Sequence, residues 1–102
     1  MNFITQHITT IIEEYDGSVP LAIFLKSYFK QHPKVGSRDR KSVSEGVYIY
    51  YRCALFLDPE LDVLTIIKQG YFLVNSKNVF LAQKLELDTD QPIQVDAYAP
   101  EI

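Results

Sequence analysis

Near the N-terminus the apolar side chains fall at Ile4, Ile8, Ile11, Ile12 and Tyr15, separated by Thr, Gln, His and Glu. Offsets of four, seven, eight and eleven place all five on one face of a 3.6-residue helix, so the spacing predicts a helix over Asn2–Tyr15. Asp16-Gly17 stops it. Ser18 is then a candidate N-cap with Pro20 in the first turn of a second helix, whose stripe is Leu21, Phe24, Leu25, Tyr28 and Phe29. Pro33 disfavours α geometry in the residue before it, which ends this helix by His32.

Lys34-Val35-Gly36 reads as a turn and Ser37 as the cap of a third helix running to about Leu57. Its apolar positions Val43, Val47, Tyr50, Tyr51, Ala54 and Leu55 form a wide stripe, and Arg52 is the one charge between Val47 and Asp58. This helix is therefore expected at the centre, with Val43, Val47, Tyr51, Ala54 and Leu55 facing the first two. Asp58-Pro59 signals an N-cap and first helical residue for a fourth helix through Leu61, Leu64, Ile66 and Ile67, stopping at Gly70. A short fifth helix is expected after Ser76, from Lys77 to about Glu86. From Glu86 to Ile102 there are five acids, no base, and prolines at Pro92 and Pro100, the composition of a linker or loosely docked tail. The alternation Ile93, Val95, Ala97 admits a strand there instead. The expected architecture is an all-α, compact bundle of four to five helices over residues 1–86, followed by an acidic irregular tail over 87–102.

Composition agrees with one folded unit. A chain of 102 residues, 47% hydrophobic and 23% charged, has enough apolar content for one core and too little length for two ordinary ones. The longest apolar run, Ala54–Leu57, is far below the roughly 20 residues of a membrane helix, and no secretory leader pattern opens the chain, so a cytoplasmic location is expected. Cys53, the single cysteine, reads as a small buried hydrophobe. No repeat or low-complexity stretch appears.

Charge changes the picture more than composition does. The formal net charge is −3, yet the segment Lys26–Arg52 carries Lys26, Lys30, Lys34, Arg38, Arg40, Lys41 and Arg52 against Asp39 and Glu45, a net +5. The remainder is −8. An anionic partner responds to the local field, so a positive face is expected despite the acidic total.

Catalytic signatures are absent: no G-x-G-x-x-G, no G-x-x-x-x-G-K-[ST], no H-E-x-x-H and no C-x-x-C occurs. His7 and His32 fall on different expected helices without a cysteine beside them and read as surface residues, His32 as a cation at a helix end. Glu13-Glu14 and the Asp58, Glu60, Asp62 group lie at helix ends or polar faces, where the macrodipole accounts for Asp58 and Glu60. No catalytic or metal-binding residue is expected in this chain.

The stretch Lys34–Lys41 gathers four cations around a glycine turn and a helix start, where free backbone N–H groups and a partial positive charge suit phosphate. Lys34, Arg38, Arg40, Lys41 and Arg52 are the candidate phosphate-contacting residues for an RNA partner. A bland alternative is that Arg38 or Arg40 pairs internally with Asp39, Glu45 or the acids Glu13, Glu14 and Asp16. At least one of the two arginines is expected to make such a pair while the other faces solvent beside Lys34 and Lys41. Tyr50 and Tyr51 are expected in the core, and Tyr48 at a surface where it can stack on a base.

Two runs of residues carry a family resemblance. Pro20-Leu21-x-x-Phe24-Leu25-Lys26-x-Tyr28-Phe29 is followed by Gly36-Ser37-Arg38-Asp39-Arg40-Lys41-x-Val43-Ser44-x-x-Val47-Tyr48-x-Tyr50-x-Arg52. Together they resemble the N-terminal domain of the Sun/Fmu (RsmB/NOP) family of RNA cytosine methyltransferases, over about residues 2–75. That domain is similar to the antiterminator NusB fold, an all-α RNA-binding bundle. The resemblance implies S-adenosylmethionine-dependent methylation of cytosine C5, usually in ribosomal RNA, by a separate catalytic domain bearing the cofactor loop and catalytic cysteine. It implies no cofactor within this chain, and RNA and a methyltransferase domain in cis as partners; the short apolar runs, independently, lead to the expectation of no membrane partner. The alternative is a free-standing protein-interaction domain or homodimer whose apolar surface a partner covers.

Overall fold

The computed structural model describes residues 2–91, so the Ile93, Val95, Ala97 alternation lies outside the described residues. Within them the chain forms an all-α bundle of five helices: α1 Phe3–Glu14, α2 Leu21–Gln31, α3 Ser37–Cys53, α4 Val63–Leu73 and α5 Val79–Lys84. A 3₁₀ turn at Ala54–Phe56 follows α3.

Short polar side chains start three of the helices. The Asn2, Asp62 and Asn78 side chains accept from the backbone N–H groups of Thr5, Thr65 and Leu81, giving α1, α4 and α5 a partner for an otherwise orphan donor. Asn2 also donates through Nδ2 to the Lys84 carbonyl at 2.6 Å, tying the start of α1 to the end of α5. Three expected caps are corrected. Pro20 and Gly36 occupy the N-cap positions of α2 and α3, and neither helix has a side-chain cap there. Ser18 instead donates its N–H to Asp16 Oδ1 in the turn containing Gly17, and Ser37 is already helical. Asp58-Pro59 forms a turn, with the Asp58 carboxylate accepting from the Glu60 N–H, and α4 waits four residues for Asp62.

Both α4 and α5 end in the same left-handed turn. Ser76 N–H returns to the Tyr71 carbonyl and Asn75 N–H to Phe72; Leu87 returns to Ala82 and Glu86 to Gln83. Asn75 and Glu86 take the positive φ this needs, 56° and 58°. Gly70, expected as a stop, lies inside α4, buried against Ile49 and Cys53 of α3.

Helix α3 packs chiefly on α4 and α1. Val43, Val47, Ile49 and Cys53 are buried, together with Ile4, Ile8 and Ile11 of α1 and Ile66, Ile67 and Tyr71 of α4. The centrality of α3 holds, and Val47 is fully buried. Its C-terminal end departs from expectation: Leu55 is 84% exposed and Phe56 65%, while Tyr51 reaches the surface beside the Ile12 carbonyl. A repeated four-residue step drifts about 40° per turn in a 3.6-residue helix, so Tyr51 and then Leu55 turn progressively away from Val43 and Val47, while the buried face continues through Ile49 and Cys53. Leu57 then takes the buried place.

Candidate nucleic-acid interface

Arg38, Lys41, Glu45, Tyr48 and Arg52 are spaced by three and four residues, so α3 carries them on one face. That face looks onto the connection between α4 and α5. At its N-terminal end a groove of about 510 Å³ is lined by Arg38, Lys41 and Glu45 on one side and Lys77, Val79 and Phe80 on the other. Glu45 also borders the next hollow, of about 220 Å³, with Tyr48, Arg52, Val74 and Ser76. Arg52 and Val74 continue into a third, of about 230 Å³, with Phe56 and Leu73. The three hollows adjoin along this face of α3 through their shared lining residues and are taken together as the trough; Arg38 to Arg52 alone spans about 21 Å at the helical rise of 1.5 Å per residue.

Its walls are braced by polar contacts across the trough. Ser76 Oγ donates to Glu45 Oε2 at 3.1 Å, and Asn78 Nδ2 donates to Ser42 Oγ at 3.4 Å. The Tyr71 hydroxyl donates to the Asn78 carbonyl at 3.0 Å, fixing the connection from α4. Burial raises the pKa of this hydroxyl, while Ser76 lowers it and the Glu45 charge raises it in smaller measure. A neighbouring hollow of about 330 Å³, lined by Tyr71, Phe72, Asn75 and Thr89 among others, shares Lys77 and adds no further cation.

The two arginines of the turn part company. Arg38 lies with its guanidinium carbon 4.2 Å from the Phe80 ring centroid, and Lys84 Nζ sits 5.1 Å from the same ring. A cation on an aromatic face is oriented without losing its charge, so Arg38 remains able to meet an anion. Arg40, on the other side of α3, donates Nε–H to the Val35 carbonyl at 2.8 Å and approaches the Phe29 ring at 5.8 Å. It staples the α2–α3 turn. The expected internal carboxylate pair is corrected: among the described residues neither arginine makes an ion pair, and Arg40 answers a carbonyl beside the buried Val35. Asp39, in the first turn of α3, supplies the negative charge that the helix start favours.

Of the five sequence candidates, the fold brings Arg38, Lys41 and Arg52 into the trough and leaves Lys34 on the turn and Arg40 beneath it. It adds Lys77, which sequence reasoning missed because nothing local joins it to α3. Tyr48 is exposed as expected, at 46%. The histidines were expected apart, and the structure joins them: His7 Nδ1 lies 2.6 Å from the Tyr28 hydroxyl, the His7 and His32 ring centroids are 5.3 Å apart, and His32 stacks on Tyr28 at 4.2 Å. Burial, and then the neighbouring His32, lower the His7 pKa.

Among the described residues no three His, Cys, Asp or Glu side chains gather as metal ligands. Burial raises the Cys53 thiol pKa, with Arg52 pulling weakly the other way, so the thiol is a buried contact of Gly70 rather than a ready nucleophile. Among the same residues no helix is long and apolar enough to cross a membrane. No family model matches the chain, nor does any curated protein or solved structure.

Proposed function

We propose that this chain is an RNA-binding domain that holds RNA phosphates along the α3 trough, positioning the RNA for a methyltransferase domain of the Sun/Fmu kind. The observation that carries the RNA reading is that Arg38, Lys41 and Lys77, from two separate parts of the chain, line one hollow and Arg52 the adjoining one along the same face of α3, with Glu45 the one acid lining the two. Phosphate contacts of this type supply affinity and register without reading sequence. The link to cytosine-5 methylation of ribosomal RNA, with S-adenosylmethionine bound by the catalytic domain, rests on the resemblance in Pro20–Phe29 and Gly36–Arg52.

Salt dependence tests the reading. Four phosphate contacts give a slope of log affinity against log salt of about −3 to −4, depending on whether the RNA is unpaired or duplex. Arg38→Ala should shrink that slope by about 0.7 to 0.9 and leave the melting temperature close to wild type. A flat slope, or an unchanged one in Arg38→Ala, removes the trough from the RNA contact. A protein-interaction reading is favoured by one feature, the exposed Phe56 and Leu73 that line the third hollow, with exposed Leu55 next to Phe56 in the chain. Its mark would be concentration-dependent self-association in sedimentation velocity, abolished by Leu55→Ser.

A further inference from the structure

Resting on that reading, we infer that the RNA taken by the trough is an unpaired strand and that the Tyr48 ring is its base-stacking platform. The other described tyrosines are engaged with neighbouring rings. Tyr15 meets Phe24, Tyr28 meets Phe29 and His32, Tyr50 meets Tyr51, and Tyr71 meets Phe72. Tyr48 is the exception among the described tyrosines, with no ring partner and no hydrogen bond from its hydroxyl to another described residue. It stands 46% exposed in the middle of the trough, two turns beyond Lys41 and one turn before Arg52. Along the helix axis these cations lie about 10 Å and 6 Å from it, on either side.

This placement decides what the groove can hold. Along a duplex each base has both faces covered by its neighbours, and only the two end pairs show a free face, so a duplex lying in the trough offers phosphates but no ring to Tyr48. An unpaired strand offers both. Bases of every kind have a π-face, and aromatic side chains interleaved with cations are the pattern by which proteins hold single strands. Glu45 sharpens the arrangement, because its carboxylate, held by Ser76, sits between Lys41 and Tyr48 and repels phosphate. The backbone is therefore steered to the cations at the rim, and a base falls inward beside Tyr48.

The test is fluorescence anisotropy at low salt with a 12-nucleotide unpaired RNA and a blunt duplex containing the same sequence, against the wild-type chain, Tyr48→Ala and Tyr48→Phe. Wild type should prefer the unpaired RNA. Tyr48→Ala should lose about 5- to 150-fold on it, the range of one stacked base, while its duplex affinity, its salt slope and its melting temperature stay close to wild type. Tyr48→Phe should keep the preference, because the ring and not the hydroxyl supplies the stacking. Equal wild-type affinities for the two RNAs, or a Tyr48→Ala variant that binds the unpaired RNA normally, overturn the platform while the phosphate-binding trough stands. Absence of RNA binding by the wild-type chain overturns both.

Discussion

Gly46 lies where α3 passes closest to α1, and adding one methyl group there tests how tightly the seam is packed. A Cβ at this position would stand 2.5 Å from Ile8 Cδ1 and 3.2 Å from Ile8 Cγ1, and Ile8 is fully buried. In an open helix, Gly→Ala is worth about 1 kcal/mol of stabilisation. Overpacking a filled core costs about 1 to 3 kcal/mol, so Gly46→Ala should come out about 0 to 2 kcal/mol less stable than wild type. Ile8→Val deletes the Cδ1 methyl that makes the closest contact and costs about 0.5 to 1.5 kcal/mol by itself. The double variant should recover about 1 to 2 kcal/mol relative to the sum of the singles, since the new methyl occupies the space the old one leaves. Urea unfolding of all four proteins, followed by far-UV circular dichroism, measures this directly. A rise in stability for Gly46→Ala alone, or additivity within about 0.5 kcal/mol, would refute the close approach of the two helices. Gly70→Ala should be worse than Gly46→Ala. Its Cβ would meet Ile49 Cγ2 at 2.6 Å and the Cys53 Cβ at 3.3 Å, atoms attached next to the backbone that cannot swing aside as the end of Ile8 can.

Glu86→Gly should raise the urea midpoint by the equivalent of about 1 kcal/mol, because Glu86 holds a left-handed φ of 58° that costs an L-residue roughly that much. Arg40→Ala should lower the melting temperature, through loss of a hydrogen bond worth about 0.5 to 1.5 kcal/mol to the Val35 carbonyl, without altering the salt slope of RNA binding. The lowered His7 pKa means that the unfolded chain binds more protons near its ordinary value of about 6.5. Stability from this group is therefore complete above that pH and is lost as pH falls through it toward the folded value; His7→Gln should flatten that part of a pH–stability profile.

The helical class was legible because it depends on period, and period survives without neighbours. Ile4, Ile8 and Ile11 are buried as their spacing requires, and so are Val43 and Val47. What the sequence could not resolve were choices decided by tertiary context. Asp58-Pro59 and Asp62 are both good helix starts, and the chain uses the second. Gly70 looked like a stop, yet its lack of a side chain is used for contact with Ile49 and Cys53. The stripe Val43, Val47, Tyr51, Leu55 repeats a four-residue step that drifts about 40° per turn, and the buried face follows Ile49 and Cys53 instead.

The site was legible to the extent that α3 alone defines it. Arg38, Lys41 and Arg52 share a face whatever the helix packs against, and the same periodicity puts Arg40 on the opposite side, a separation that counting cations in Lys34–Lys41 obscures. The other wall follows from where α4 ends. Asn75 takes a left-handed turn, and this sends Ser76, Lys77 and Asn78 back across α3 to meet Glu45 and Ser42. A residue 36 positions from Lys41 thus becomes its neighbour across the groove. Because that wall is held by side-chain hydrogen bonds from Ser76 and Asn78 rather than by a regular ladder, no hydrophobic pattern announces it. The basic charge of the trough is written partly in the Arg38–Arg52 face and partly in how one helix stops.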